Sequence, residues 1–323
     1  MIAFGVRRRV GARKKTFTPL SISGLSLWLD PSDPATLSLD GDLVSAIHDK
    51  SGHAHVGVSS GTQRPALTTV EGMPMMSFDN TDDCITVNDH PDFDHASSGF
   101  TVMAIIKQNI AAYNMGQSFI NKTGPIGTRE WRISYQDNNN GHYIMASTNG
   151  TGIVIRNLKK ENKSTRRVIM MRYFGPGTRS EILFDSSVPK GRATNAATIY
   201  EGIQPIRIGH NGESEFLNGS IGEVLYYNRG LSDAEINMLG AYLEKKWNIN
   251  YASQDEAILV TNARETNAFN AFVNGSLYSH SYTRNGLNAQ NAVYENYFKA
   301  YEFVRNAYNT APVMQVSGNG SNH

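Results

Sequence analysis

Asp79, Asp82 and Asp83 fall within five residues, and Asp89, Asp92 and Asp94 follow closely. Carboxylate oxygens at such short spacing suit a hard cation such as Ca2+. The spacing is not that of an EF-hand, and turn-capping accounts for isolated aspartates equally well. Asp79, Asp82 and Asp83 are thus the candidate Ca2+ ligands, with turn-capping as the competing reading. Five of the nine histidines, His48, His53, His55, His90 and His95, lie in the N-terminal third. His53 and His55 are two apart, but no His-Glu-x-x-His pair occurs, so they read as ordinary loop histidines. Glycoside hydrolysis needs two carboxylates across a sugar-sized gap. Glu213 and Glu215 in GESEF come nearest, but they sit in a Gly/Asn-rich turn without a third acid and read as a solvated loop. Trp131, Tyr135, Tyr143 and Tyr173 are candidates for a sugar platform, yet half of any strand faces the core, so each reads as packing. Cys84 opens a strand and reads as buried and inert. The sequence has no phosphate-binding glycine motif, no Cys/His zinc pattern and no nucleophile elbow. No catalytic residue is expected, and no cofactor beyond the open case of Ca2+.

The elements that would position these residues are mostly strands. Short apolar or alternating runs recur between turn-formers: LSLWL (25–29), PMMSF (74–78), CITV (84–87), FTVMAIIK (100–107), WRISYQ (131–136), HYIMAS (142–147), GIVIRN (152–157), RRVIMMRYF (166–174), SEILFD (180–185), IRIGH (206–210) and IGEVLYYN (221–228). This pattern predicts a β-sandwich or barrel. QDNNNGH (136–142) predicts a hairpin tip, because Asn-Gly supplies positive φ. FTVMAIIK is apolar on both faces and predicts a central strand sealed between layers. One helix interrupts the pattern. Ser232 and Glu235 form a capping box, Ile236, Leu239, Leu243 and Trp247 mark one face, and Lys245 and Lys246 suit the C-terminal dipole. This helix, Asp233–Trp247, is expected to pack across an end or edge of the sandwich and close its core.

Hydrophobic residues make up 40% and charged residues 18% of the 323 residues, enough for a sizeable core. Arg7, Arg8, Arg9, Arg13, Lys14 and Lys15 crowd a basic arm over residues 1–20. Removing these six charges from the net of +1 leaves the rest at −5. Such an arm is either a solvated tail or a strap lying on an acidic partner surface, and the strap is the favoured reading. With one cysteine there is no intrachain disulfide, and no run of 18 apolar residues predicts a membrane span. The basic start is not followed by a continuous apolar stretch or a small-residue cleavage site, so it does not read as a secretory signal. Residues 21–250 form the sandwich and 251–323 a helical extension with a flexible tail. In that extension Val293, Tyr297, Tyr301, Val304 and Tyr308 share one helical face. The aromatics Tyr294, Tyr297, Phe298, Tyr301 and Phe303 exceed what one face needs, which favours partner contact through Tyr294, Tyr297 and Tyr301.

Three blocks carry a family resemblance. GLSLWLDPSDPATL (24–37) is similar to an opening strand. DKSGHAH (49–55), TQRPAL (62–67) and GMPMMSFDNTDDCITV (72–87) follow an Asp-x-Ser-Gly, Arg-Pro, Gly-x-Pro, Phe-Asp, Asp-Asp pattern. IGEVLYYNRGLSDAEINMLGAYLEKKW (221–247) is similar to a closing strand and helix. Together they resemble the laminin-G-like, concanavalin A-like lectin/glucanase superfamily, in the versions found in bacteriophage structural proteins and bacterial surface proteins. The resemblance implies an all-β, two-sheet antiparallel jelly-roll sandwich. It also implies that a Ca2+ ion is held at the rim in some members. The superfamily's glucanases carry Glu-x-Asp-x-x-Glu or a close variant on one strand, which this chain lacks.

The implied function is a non-catalytic virion structural protein of a tailed bacteriophage, as head decoration or a tail-fibre or adhesin component, open to glycan binding. Its expected partners are other virion proteins, a capsid or tail subunit or a further copy of itself, and a surface glycan. It would be located in the virion, assembled in the bacterial host cytoplasm. No nucleic-acid motif is present. The alternatives are a bacterial cell-surface carbohydrate-binding adhesin, which would need an export signal, and a glycoside hydrolase.

Overall fold

A computed structural model describes residues 17–94, 97–109, 116–136, 141–148, 151–156, 165–187, 189–195 and 199–252, with backbone alone for 136, 141–148, 151–156 and 193–195. The strands are Leu25–Leu29 (β1), Leu37–Asp40 (β2), Leu43–His48 (β3), Val56–Val58 (β4), Ala66–Val70 (β5), Met73–Asp79 (β6), Ile85–Val87 (β7), Phe100–Gln108 (β8), Gln117–Lys122 (β9), Trp131–Gln136 (β10), Gly141–Thr148 (β11), Thr151–Arg156 (β12), Arg167–Tyr173 (β13), Thr178–Phe184 (β14), Pro189–Asn195 (β15), Ile206–Ile208 (β16) and Asn218–Tyr227 (β17). All named pairings are antiparallel and fall into two layers. In the front sheet, β17 pairs with β8 along one edge and with β6 and then β1 along the other. β5 flanks β6, and β13, β14 and β15 continue beyond β8. The back sheet runs β2, β3, β4, β7, β16, β9, β10, β11, β12. At one edge the layers are joined where Leu43 of β3 pairs with Ala66 of β5, with the Val44 N–H donating to the Pro65 carbonyl (2.9 Å) and the Leu67 N–H to the Asp42 carbonyl (2.7 Å). The expected hairpin is present as the β10–β11 pair, whose tip at 137–140 lies outside the described residues.

Side chains alternate across a strand, and β8 shows what that does here. Val102, Ala104 and Ile106 point into the core between the sheets, with Phe78, Ile133, Met171 and Tyr226. Met103 and Ile105 point the other way, into a second core with Met75, Met170, Leu225 and Tyr227. That second core is covered by the helix Asp233–Trp247 (α1) through Ile236, Leu239, Leu243 and Trp247, each at most 1% exposed. Under the helix, β8 is therefore sealed on both faces from Phe100 to Ile106, as its sequence predicts. The placement of α1 differs from expectation. It lies flat on the outer face of the front sheet and does not close an end of the inner core. The reason is packing: a methyl group at Gly222 would lie 2.7 Å from the Trp247 ring, so the absence of a side chain there lets the helix settle on β17. The capping box forms as read, with Ser232 and Glu235 exchanging bonds.

The three resemblance blocks meet at one buried polar hub. Glu223 on β17, 1% exposed, accepts from the indole of Trp28 on β1 (2.5 Å), the indole of Trp247 (2.7 Å) and the Tyr242 hydroxyl (2.8 Å) on α1. Lys246 bridges Glu223 (2.9 Å) and Asp30 (2.7 Å), and Lys50 also reaches Asp30 (2.8 Å) while lying over the Trp28 ring. Burial pulls the Asp30 carboxyl up, but Lys246 and Lys50 outweigh it and hold it below its ordinary range. Asp49 accepts from the Trp28 N–H (2.7 Å) and the Ser51 N–H (2.8 Å), the Asx turn that the DKSG segment predicts. Residues 1–16 and 253–323, and with them Arg7, Arg8, Arg9, Arg13, Lys14, Lys15, Tyr294, Tyr297 and Tyr301, lie outside the described residues. Phe17 packs edge-on against Tyr242, and the Pro19 carbonyl takes the Tyr227 hydroxyl, so the chain joins the domain already at these residues.

Candidate functional site

Helix α1 covers only part of the outer face of the front sheet. Beyond it the outward residues turn polar: Met103 and Ile105 give way to Lys107 on β8, and Met75 gives way to Ser77 on β6. The uncovered end forms an open groove lined by Glu71, Ser77, Lys107, Asn109, Thr165 and Ser220, among others. Thr68, Ser77 and Ser220 hydroxyls run in a row across three strands, at 2.5 and 3.0 Å. Lys107 pairs with Glu71 at 3.2 Å. A row of hydroxyls beside a partly exposed ion pair offers donors and acceptors in alternation, the polar chemistry that orients a hydroxylated ligand. Sequence reading missed this groove because its residues come from five distant segments. The usable signal was the switch to polar outward residues at the end of IIK and MMS.

The six aspartates of this stretch, the candidate Ca2+ ligands Asp79, Asp82 and Asp83 among them, divide among three tasks. Asp79 accepts from the Thr81 N–H (2.8 Å), Asp82 from the Thr62 hydroxyl (2.5 Å), and Asp83 from the Asp79 N–H (2.9 Å). Turn-capping thus operates, while ligand atoms of the three lie within 4.8 Å of one another, close enough to share a cation. Burial and the neighbouring Asp79 and Asp82 push the Asp83 carboxyl up to about 6. A carboxyl raised in the folded state contributes stability below its unfolded value, near pH 4, and loses it as pH rises to about 6. Asp83→Asn is therefore expected to raise stability by about 1 kcal/mol at pH 7.5, after allowance for solvent around the turn, and to leave it unchanged at pH 4. Urea titrations at the two pH values check this.

Asp89 and Asp94 turn instead to Lys122 on β9. The ammonium is fully buried and contacts Asp94 (2.8 Å), Glu130 (2.9 Å), Asp89 (3.0 Å) and the Gly202 carbonyl (3.0 Å). Burial alone would favour its neutral form, but the carboxylates, Glu130 foremost, hold its pKa above the ordinary value. Burial pushes Glu130 up to about 8.

Asp92 takes a third direction. His53 Nδ1 (2.7 Å), His55 Nε2 (2.9 Å) and His90 Nδ1 (3.2 Å) all approach its Oδ2. The loop histidines are thus part of an organised cluster. His95 lies outside the described residues.

Glu213 pairs with Arg129 and Glu215 with Arg132, both at 2.9 Å. The Asn211 side chain gathers the backbone N–H groups of residues 213–215. Burial raises the Glu215 carboxyl, and Arg132 opposes that. The turn is an ion-paired flap with each acid held by its own arginine. Trp131, Tyr135 and Tyr173 are buried at 4% exposure or less, so they pack the core as read. The Tyr143 side chain lies outside the described residues. Cys84 is buried, and burial raises its thiol. Among the described residues, no helix is long and apolar enough to cross a membrane.

No family profile matches the chain, and no curated protein matches it in sequence. Solved structures do. The binding domain of Paraclostridial Mosquitocidal Protein 1 is 15% identical, with a TM-score of 0.54 over 69% of this chain and 53% of that one. The binding domain of botulinum neurotoxin DC in complex with SialylT is 14% identical, with a TM-score of 0.53 over 68% and 52%. The receptor binding domain of botulinum neurotoxin D is 13% identical, with a TM-score of 0.52 over 68% and 52%. This chain spans about half the length of those chains. At this identity the likeness establishes the fold alone, an antiparallel β-sandwich.

Proposed function

We propose that this chain is a non-catalytic virion structural protein of a tailed bacteriophage, in head decoration or a tail adhesin, that presents a saccharide-binding groove. The observation that carries the binding role is the hydroxyl row Thr68–Ser77–Ser220 beside the Glu71–Lys107 pair, left open where α1 ends. A binding domain that shares this fold over about half of its length is described in complex with SialylT. The virion role is supported by the resemblance of the three sequence blocks to versions in phage structural proteins. The non-catalytic reading is supported by the arginine held against each acid of the 213–215 turn.

The test is a calorimetric screen of the full chain against bacterial polysaccharide fragments. At least one should bind, and Lys107→Ala and Glu71→Ala should each weaken it about tenfold, the value of one charge-assisted hydrogen bond. A blank screen, or binding indifferent to both changes, would sink the groove. No sugar should be released in the same screen. Turnover abolished by Glu213→Gln or Glu215→Gln would overturn the non-catalytic reading.

A further inference from the structure

The His53–His55–Asp92 cluster lies apart from the groove, whose lining includes none of the three. A neutral imidazole carries one N–H. For both short contacts to Asp92 to be hydrogen bonds, His53 must hold its proton on Nδ1 and His55 on Nε2. His90 Nδ1 accepts the Asp92 backbone N–H at 3.2 Å, so it turns a lone pair toward the same carboxylate oxygen, also 3.2 Å away. Three ring nitrogens thus crowd one carboxylate oxygen.

The backbone is bent to achieve this. Between the two histidines, Ala54 adopts φ 61°, a left-handed conformation that costs a residue with a side chain free energy. The His53 and His55 rings stand nearly parallel, 5.9 Å apart at 8°. The loop carrying them is closed by the Asp49 N–H to His55 carbonyl bond (3.0 Å) and anchored by Asp49 to β1. On the facing loop, Asp92 lies in the 3-10 turn Pro91–Phe93, and His55 rests on Phe93. Burial would raise the Asp92 carboxyl, but bonds from His55 and His53 outweigh it, so the group is a carboxylate at neutral pH.

We infer that His53 Nδ1, His55 Nε2 and an Asp92 carboxylate oxygen form a binding site for one divalent first-row transition-metal ion of the zinc type. Ligand atoms of the three already lie within 4.8 Å of one another. Zinc takes imidazole nitrogen at about 2.0–2.1 Å, which places tetrahedral neighbours about 3.3 Å apart. The contacts of 2.7 and 2.9 Å therefore need to open by about 0.5 Å to admit the ion. Exposed His53 gives that room. Each histidine moves its proton to the other ring nitrogen, and the fourth position is left to water or a partner's donor. The ion would tie the 49–55 loop to the 88–94 loop at the sandwich rim.

The test is calorimetric titration of the full chain with Zn2+ alone, with Co2+ absorption as the report on coordination. One Zn2+ per chain is expected, with binding weakened about 100-fold or more in His55→Ala and in Asp92→Ala. His210→Ala should bind as wild type. Should a variant fail to fold, Co2+ added to the wild-type chain decides: the ring protons of His53 and His55 should show the paramagnetic shifts. The inference is overturned by no saturable uptake below about 1 mM Zn2+. It is equally overturned by uptake unchanged in both variants, by uptake that follows Asp82→Ala, or by paramagnetic shifts elsewhere.

Discussion

Glu223→Ala is expected to lower the stability of the sandwich by about 3–5 kcal/mol. The carboxylate is the shared acceptor for two indole N–H groups and one phenol. Its loss leaves two buried indole N–H groups and the half-buried Tyr242 hydroxyl without this acceptor, at about 1–3 kcal/mol for each that finds no substitute. Lys246 suffers less, because it keeps Asp30 at 2.7 Å. Glu223→Gln should cost less than Ala, since it retains an acceptor. Urea denaturation followed by tryptophan fluorescence measures this well, because Trp28 and Trp247 sit on the lost contact. A loss under about 1 kcal/mol would mean that the hub is a consequence of helix docking and not its cause.

Lys122→Met should cost a similar amount, about 3–5 kcal/mol at pH 8.5, by a different route. The substitution removes the cation and leaves Asp89, Asp94 and Glu130 facing one another. The cost should shrink at pH 5, because protonating Glu130 removes part of the uncompensated charge. Glu130 sets the window: with its carboxyl raised to about 8 in the fold, its contribution to stability is full below pH 4.5 and is lost as pH rises through 8. The variant should therefore lose more stability than wild type between pH 5 and 8.5. Equal losses at both values would show that Lys122 acts through packing alone.

The legible parts of this fold are those where local pattern and burial agree. β8, β13 and β17 are apolar and long, and α1 carries its own cap and stripe. β9 was not legible. Its sequence QSFINK has Gln, Ser, Asn and Lys, yet every residue is buried. Its polar groups are satisfied by side chains and carbonyls far away in sequence, such as Asn121 Nδ2 donating to the His210 carbonyl at 2.7 Å. β15 begins at Pro189 and reads as a turn, as an outer strand of this kind does. The recognisable blocks turn out to be scaffold: Trp28, Asp30, Asp49, Lys50, Glu223 and Trp247 converge on one hub. The groove and the histidine cluster were hidden for the opposite reason. His53 and Asp92 are 39 residues apart, and Ser77 and Ser220 are 143 apart, so no spacing rule joins them.

The claim that this sandwich is a virion component presenting its groove outward is tested most directly by electron microscopy of purified particles from the host that produces it. Density for the two-layered sandwich with α1 is expected on the particle exterior, with Glu71, Ser77 and Lys107 facing solvent. Particles that lack the chain, or that bury the groove against a neighbouring subunit, would contradict it.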